Sequence, residues 1–185
     1  MITATKKRII ESAINIFNDD LSAPLQKVAD HAKVTRRTLH RYFKDRDELV
    51  AVCKQAVQLS CRKAMITALE SSNDPLEQLE RMLYAGMDCG TKYAVFYKLH
   101  LNKEHKHSHE NKDCAEYDYI YQQFQLIIIK LQKLGKINPV MSVDWIQILH
   151  TGIIESTVQA RETTSKNIEE IKHLAWVSYI KAISP

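Results

Sequence analysis

The side chains best suited to bind another molecule lie in one short run near the amino terminus, residues 35–42. The run combines cations, hydroxyls and an imidazole and contains no acidic residue: Thr35, Arg36, Arg37, Thr38, Leu39, His40, Arg41 and Tyr42. Packing explains such a set poorly, whereas DNA needs cations for its phosphates and forked or hydroxyl donors for its base edges. The run therefore predicts a helix that docks into the major groove of DNA.

Two short predicted helices, over about residues 23–32 and 35–43, position these side chains. The first helix buries an apolar stripe of Leu25, Val28, Ala29 and Ala32. Val34 fills the angle between the helices, and Leu39 and Phe43, one turn apart, anchor the second helix inward. This spacing is typical of a helix-turn-helix, with a small residue where the two helices cross. The alternative is an ordinary helical corner.

Composition and charge set the fold class and support this interpretation. The 185 residues are 45% hydrophobic, enough for a packed core, and the four glycines all lie at or after Gly86. Strand runs bounded by glycine or Asn-Gly turns are missing from the sequence, which predicts an all-α protein. Residues 1–62 hold twelve Lys/Arg and seven Asp/Glu, whereas residues 63–185 hold fourteen and fifteen. The positive excess therefore accompanies the candidate DNA-binding motif.

Neither a membrane segment nor a disulfide framework is evident in the sequence. No apolar run approaches the roughly 18 residues of a membrane span, and the first residues lack the apolar core of a signal peptide. Four cysteines stand at spacings that match no motif: Cys53, Cys61, Cys89 and Cys114. We expect them to be reduced thiols in a cytoplasmic protein that does not contact the membrane.

About nine helices are expected from the apolar periodicity. They cover residues 4–18, 23–32, 35–43, 45–70, 75–90, 91–103, 113–134, 143–162 and 167 to nearly the end. The expected amino-terminal caps are Ser22, Thr35, Asp45, Asp74, Asp113 and Asn167, and Gly135 ends a helix. This organisation predicts a three-helix DNA-binding domain over residues 1–47 and a helical bundle over residues 48–185.

At the helix-turn-helix the chain resembles the tetracycline-repressor (TetR) family of bacterial transcription factors. The resemblance extends from about Lys7 to Leu49. It rests on Ala13-x-x-Ile16-Phe17, Ala23-Pro24-Leu25-x-x-Val28-Ala29, Ala32-x-Val34-Thr35-x-x-Thr38-Leu39, Tyr42-Phe43 and Arg46-x-x-Leu49. It implies a TetR-like homodimer whose carboxy-terminal domain binds a small molecule. It also implies that binding of that molecule shifts the DNA-binding domains out of register.

The resemblance and the local charge together select the DNA-contacting residues. They are Lys6, Lys33, Thr35, Arg36, Arg37, Thr38, His40, Arg41, Tyr42, Lys44 and Arg46. Two of them depart from the family pattern, since Lys33 replaces the usual turn glycine and Arg37 replaces another frequent glycine. A lysine at positive φ costs of the order of 1 kcal/mol, but it adds a cation beside the groove.

Two stretches of small residues near the carboxy terminus predict a dimer interface. Gly152, Ser156 and Ala160 recur every four residues on one helix, and the next helix offers Ala175, Ser178, Tyr179 and Ala182. Two adjacent helices with close-contact faces suit a four-helix bundle shared with a second copy. Packing of the same stripes within one chain is the alternative.

A ligand pocket is expected among the central helices, where methionines and aromatic residues can line an adaptable apolar cavity. The candidates are Met65, Met82, Met87, Tyr93, Phe96, Tyr97, Tyr121, Phe124 and Trp145. No arginine or acidic pair is placed to hold a charged ligand, so the expected effector is hydrophobic or aromatic. Each of these residues could equally belong to a plain core, and the protein could lack an effector.

Histidines at 100, 105, 107 and 109 offer a different interpretation, a metal site in a polar loop. Lysines in the same segment favour a solvated connector instead, and we expect no metal and no cofactor. No nucleophile–base motif supports an enzyme. The sequence thus predicts a DNA-binding transcriptional regulator, a repressor released from a palindromic operator by a small molecule. The alternatives are an architectural or orphan DNA-binding protein and a metal-dependent protein using the His100–His109 loop.

Overall fold

A computed structural model describes residues 3–92 and 112–185, and every regular element in these two ranges is an α-helix. The first four are α1 (Ala4–Asp19), α2 (Leu25–His31), α3 (Arg36–Tyr42) and α4 (Arg46–Glu70). The other four are α5 (Pro75–Lys92), α6 (Lys112–Lys133), α7 (Val143–Thr163) and α8 (Ile168–Ile183). The all-α prediction is confirmed, with eight helices in the described ranges against about nine expected.

Most predicted helix starts are confirmed by hydrogen bonds. Thr35 Oγ1 accepts from the backbone N–H of Thr38 at 3.1 Å, and Asp45 Oδ1 accepts from that of Glu48 at 2.9 Å. Asn167 and Glu170 form a complete capping box at the start of α8. Each bond pairs an N–H group that the first helical turn leaves without an intrahelical acceptor.

The start of α2 was predicted wrongly. Ser22 does not cap it, because both its backbone N–H and its hydroxyl donate to the carboxylate of Asp20. The helix begins at Leu25 instead, with Pro24 as a cap that makes no side-chain hydrogen bond. The loop between α1 and α2 is thus closed by its own Asp–Ser pair.

Two further differences concern the middle of the chain. Helix α5 continues through Lys92, beyond the expected end between Gly86 and Gly90. Helix α6 already includes Lys112, so Asp113 does not cap it. The helix predicted over residues 91–103 and the histidine loop lie almost entirely outside the described residues. None of the helices described is both long and apolar enough to cross a membrane.

The described residues fall into two compact units, residues 3–60 and residues 61–92 with 112–185. The boundary thus lies inside α4, after residue 60, whereas the sequence placed it after residue 47. The core of the first unit joins α1, α2, α3 and the start of α4. Its fully buried side chains include Ile9, Ala13, Phe17, Val28, Ala29, Leu39, Phe43, Leu49 and Cys53.

In the second unit α7 is the central element, and it packs chiefly against α5 and α8. The contact with α5 is close, because a Cβ atom added to Gly86 would lie 2.5 Å from Ile154 Cδ1. Lys172 of α8 forms ion pairs with Asp88 of α5 at 2.9 Å and with Glu169 at 3.1 Å. The glycine and the lysine therefore help to fix where α7 and α8 lie on α5.

Candidate nucleic-acid interface

Helix α3 is held by two buried side chains one turn apart. Leu39 is 0% exposed and Phe43 is 1% exposed. At the start of the helix Thr35 and Thr38 are joined a second time, with their hydroxyl oxygens 2.9 Å apart. The backbone of α3 is thus fixed at both ends, which leaves its other faces free to present polar groups.

The turn before α3 is built around Lys33. Its φ is 51°, and it is the one non-glycine residue with positive φ in the described backbone. The turn is closed by backbone hydrogen bonds from Lys33 to the carbonyl of Asp30, 3.0 Å, and from Val34 to that of Ala29, 2.9 Å. The lysine side chain is exposed. The predicted positive φ and the predicted cation at this turn are therefore both present.

The three arginines of α3 are exposed. No carboxylate within the described ranges lies at ion-pair distance from Arg36, Arg37 or Arg41. Arg36 Nε donates a long hydrogen bond, 3.4 Å, to Nε2 of His40, which accepts only when that nitrogen carries no proton. Exposed guanidinium groups without an internal carboxylate partner are well suited to phosphates and guanine edges.

Tyr42 connects α3 to the start of α1. The Thr3 hydroxyl donates to the Tyr42 phenol oxygen at 3.4 Å, and the guanidinium carbon of Arg41 lies 5.2 Å from the Tyr42 ring centre. The hydrogen bond from Thr3, and then that from Arg41, hold the pKa of the Tyr42 phenol below its ordinary value. The phenol is therefore an oriented polar group beside the arginines, and its role as a phosphate contact stays a prediction.

Lys6 and Lys44 lie close to the carboxy-terminal end of α3. Lys6 Nζ is 5.3 Å from the centre of the Phe43 ring, a cation–π distance, and its side chain is half-buried. Lys44 is exposed, and its backbone N–H donates to Glu48 at 2.6 Å. Both ammonium groups can therefore extend the positive surface of α3.

Arg46 is an exception among the predicted DNA contacts. Its guanidinium stacks on Phe17, 4.6 Å from the ring centre, and Nη1 donates to the carbonyl of Ala23. The side chain is half-buried and engaged within its own domain. We therefore assign it to the packing of α1, the α1–α2 loop and α4 instead of to phosphate binding.

The predicted pocket residues differ in how deeply they are buried. Met82, Met87 and Phe124 are buried, and Met65 is half-buried. Trp145 is 52% exposed, whereas Tyr121, 36% exposed, lines an open surface groove together with Gln147 and Thr151. The remaining candidates, Tyr93, Phe96 and Tyr97, are outside the described residues.

The two predicted dimer stripes differ from each other. On α7 a Cβ atom added to Gly152 meets nothing within 4 Å, and Ser156 is exposed. On α8, however, Ala175 and Tyr179 are buried within the chain, the tyrosine completely. These two were wrongly assigned to the interface, since they pack inside their own subunit. Ser178 and Ala182 are exposed, and Ala160 is half-buried.

One feature of α7 has no recognisable signal in the sequence. Gln147 Oε1 and His150 Nε2 are buried without a hydrogen-bond partner among the described residues. A single histidine inside an apolar helix gives no recognisable sequence pattern, because only its surroundings make it unusual. As to metals, residues 3–92 and 112–185 contain no group of His, Cys, Asp and Glu able to hold an ion, and the His100–His109 loop lies outside these ranges.

Comparison with known proteins bears on both units. Residues 9–53 match the family model of bacterial regulatory proteins, tetR family. No curated protein sequence matches the chain. Among solved structures of similar fold, the TetR-like transcriptional regulator LfrR from Mycobacterium smegmatis in complex with proflavine is 18% identical, with 98% of this chain and 97% of that chain covered and a TM-score of 0.69.

Two further solved structures are similar over almost the whole length. The ketosteroid transcriptional regulator KstR2 of Mycobacterium tuberculosis is 13% identical, covering 100% of this chain and 97% of that one, with a TM-score of 0.73. PfmR from Thermus thermophilus, a TetR family transcriptional regulator, is 19% identical, covering 96% and 95%, with a TM-score of 0.68. At sequence identities this low, structural similarity shows a shared fold. The family model thus matches the chain at residues 9–53, and the solved structures show that the chain as a whole shares the fold of these regulators.

Proposed function

We propose that this protein is a homodimeric repressor that binds a palindromic operator and is released from it by a small molecule. The DNA-binding part of this proposal rests on the polar face of α3. There Arg36, Arg37 and Arg41 are exposed, and none of them has a carboxylate partner in the described chain. Buried Leu39 and Phe43 hold the opposite face. A rigid helix of this kind presents its amino-terminal side chains to base edges and its cations to phosphates.

Dimerisation is supported by the surface of α7 and α8. Gly152 faces open space, and Ile148 of the same helix is 60% exposed. On α8, Leu174 is 49% exposed and Ser178 is exposed. Small residues beside exposed aliphatic ones allow close helix approach and supply apolar area to bury, as a symmetric four-helix interface requires. Two reading helices about one DNA turn apart, ~34 Å, also require two copies.

Release by an effector completes the proposal, in the bacterial cytoplasm where the operator DNA lies. A small molecule bound in the second unit would favour a spacing of the two DNA-binding domains that cannot span two half-sites. Buried Met82, Met87 and Phe124 supply adaptable apolar surface for it. Since nothing in this mechanism requires bond chemistry, the proposed role is that of a regulator and not of an enzyme.

Selection of bound DNA from a random library tests the proposal. The expected result is one palindrome whose half-sites lie about one helical turn apart, ~10 base pairs. Recovery of many unrelated sequences with similar affinity would contradict it and would indicate an architectural DNA-binding protein. A matched control replaces two exposed lysines of the second unit, Lys133→Ala with Lys136→Ala, and should recover the same palindrome.

A further inference from the structure

Arg36 and His40 of α3 are joined by a hydrogen bond between their side chains. Arg36 Nε donates to His40 Nε2 at 3.4 Å, and the two residues lie one helical turn apart on the same face. Both side chains are exposed, so the contact does not result from burial in the core. Leu39 and Phe43 are buried and fix the rotation of α3 about its own axis. The Arg36–His40 pair therefore has a defined position on the surface proposed to contact DNA.

The hydrogen bond determines which donors of Arg36 stay available. A guanidinium group carries its N–H donors on Nε, Nη1 and Nη2 in a planar fork. His40 engages the donor on Nε, which leaves those on Nη1 and Nη2 at the end of the fork. Two parallel donors of this kind match O6 and N7 of guanine, and arginine with guanine is the commonest base-specific contact in the major groove. The hydrogen bond therefore orients Arg36 and leaves the donors that bidentate readout of guanine requires.

His40 contributes an acceptor in this arrangement. Its Nε2 accepts only in the neutral imidazole, whose proton is then on Nδ1. No other side chain of the described residues accepts a hydrogen bond from Arg36, and none of their carboxylates pairs with it. A carboxylate in this position would offset the charge of Arg36 and repel phosphates, whereas a neutral imidazole orients the guanidinium and keeps its positive charge for DNA.

The other two arginines of α3 differ from Arg36. Arg37 and Arg41 also lie one turn apart, on the neighbouring exposed row of the helix. Arg41 lies over the ring of the adjacent Tyr42, and the Arg37 side chain has no hydrogen bond or ring contact within the described ranges. Base edges require donors of fixed direction, whereas phosphates can be contacted from several directions. Arg36 is therefore suited to a base, and Arg37 and Arg41 are suited to the backbone.

We propose that His40 is a positioning residue for base recognition. Its Nε2 holds the Arg36 guanidinium so that Nη1 and Nη2 donate to O6 and N7 of one guanine in each operator half-site. The proposal rests on the proposed binding of a palindromic operator. An indirect role of His40 requires Arg36 and affects one base pair, whereas a phosphate contact by His40 would act equally on every sequence.

Gel-shift titrations with two duplexes test this role. One duplex is the operator selected by the wild-type protein, and the other has adenine in place of the guanine that Arg36→Ala ceases to discriminate. The wild type should bind the guanine duplex about tenfold more tightly. His40→Leu should lower this ratio to about twofold, because Arg36 is no longer oriented. His40→Gln should restore the ratio, because its amide oxygen also accepts a hydrogen bond.

A double-mutant comparison separates the indirect role from a direct one. His40→Leu should not change the ratio further when Arg36 is already alanine, and should still lower it when Arg37 is alanine. Replacement of the guanine by 7-deazaguanine, which lacks only the N7 acceptor, should weaken wild-type binding and leave Arg36→Ala binding unchanged. His31→Leu removes an exposed histidine of α2 and is the matched control, with an unchanged ratio.

Three results would overturn the proposal. Equal weakening of both duplexes by His40→Leu, with a lower salt slope and an unchanged ratio, would make His40 a phosphate contact. A ratio that His40→Gln does not restore, or that His40→Leu still lowers in the Arg36→Ala background, would also contradict it. Because every replaced side chain is exposed, urea denaturation should show all variants folded. Failure of the wild type to select any palindrome would refute the proposed function itself, so the two failures are distinguishable.

Discussion

Arg46 stacks on Phe17, with the guanidinium carbon 4.6 Å from the ring centre, and thereby ties the start of α4 to α1. The same side chain donates to the carbonyl of Ala23, whose residue is 1% exposed. Because its guanidinium joins α1, the α1–α2 loop and α4 within one domain, Arg46 contributes to stability more than to DNA affinity.

Replacement of this arginine by alanine should therefore lower stability. We expect Arg46→Ala to reduce the free energy of unfolding by about 2 kcal/mol, because a cation–π contact and the partner of a buried carbonyl are both lost. Urea denaturation measures the change. Arg81→Ala is the matched control, since Arg81 also donates to a backbone carbonyl, that of Ser71 at 2.7 Å, but is exposed. Its cost should stay below about 1 kcal/mol. Equal losses in the two variants would contradict the assignment.

Replacement of the arginines at the start of α3 should instead lower DNA affinity and leave stability nearly unchanged. The double replacement Arg36→Ala with Arg37→Ala should abolish specific operator binding and leave the unfolding free energy within about 0.5 kcal/mol, because both side chains are exposed. The salt dependence of the remaining binding should also weaken, by about one unit of slope for each lost phosphate contact.

Gel-shift titration at several salt concentrations measures both effects on this double variant. The pair Lys133→Ala with Lys136→Ala removes the same charge elsewhere and should leave the titration unchanged. Unchanged operator affinity in the α3 variant would refute the proposed interface.

Lys33 provides a test that separates backbone strain from charge. Its φ of 51° lies in the region that glycine adopts without strain, so Lys33→Gly should raise stability by about 0.5–1 kcal/mol. Lys33→Ala keeps the strain and should not show this gain. Both variants remove the same exposed ammonium group, so both should lose DNA affinity to a similar extent. A stability gain in the alanine variant equal to that of glycine would show that backbone strain is not the cause.

The buried His150 predicts a pH dependence of stability. Its folded pKa of about 4 lies below the ordinary histidine value, so between these values the unfolded chain binds more protons than the folded one. Stability should therefore be fully present above about pH 6.5 and fall as the pH decreases, by about 2 kcal/mol between pH 7 and pH 5.

Denaturant midpoints of wild type and His150→Leu at these two pH values measure the difference. The variant should lose the contribution of this residue and retain that of the other histidines. Parallel pH profiles for the two proteins would show that His150 is protonated equally in the folded and unfolded states.

The sequence by itself determined the features that depend on neighbours a few positions apart. The inward anchors Leu39 and Phe43 follow from the spacing of one helical turn, and the Thr35 cap follows from its place three residues before Thr38. The positive φ of Lys33 followed from its position in the turn. These features depend on local backbone geometry, and residues that are adjacent in the sequence determine that geometry.

Only the tertiary structure decided the features that pair residues distant in the chain. Arg46 contacts Ala23 and Phe17, from which it is separated in the sequence by α2 and α3. An arginine at this position is compatible with either a phosphate contact or a packing contact, so the sequence alone did not distinguish the two. Tyr179 follows a small residue in the sequence yet is fully buried, and His150 is unusual only because Phe124 and Tyr179 enclose it. Burial and hydrogen-bond satisfaction are properties of the assembled core, and no spacing rule along one helix specifies them.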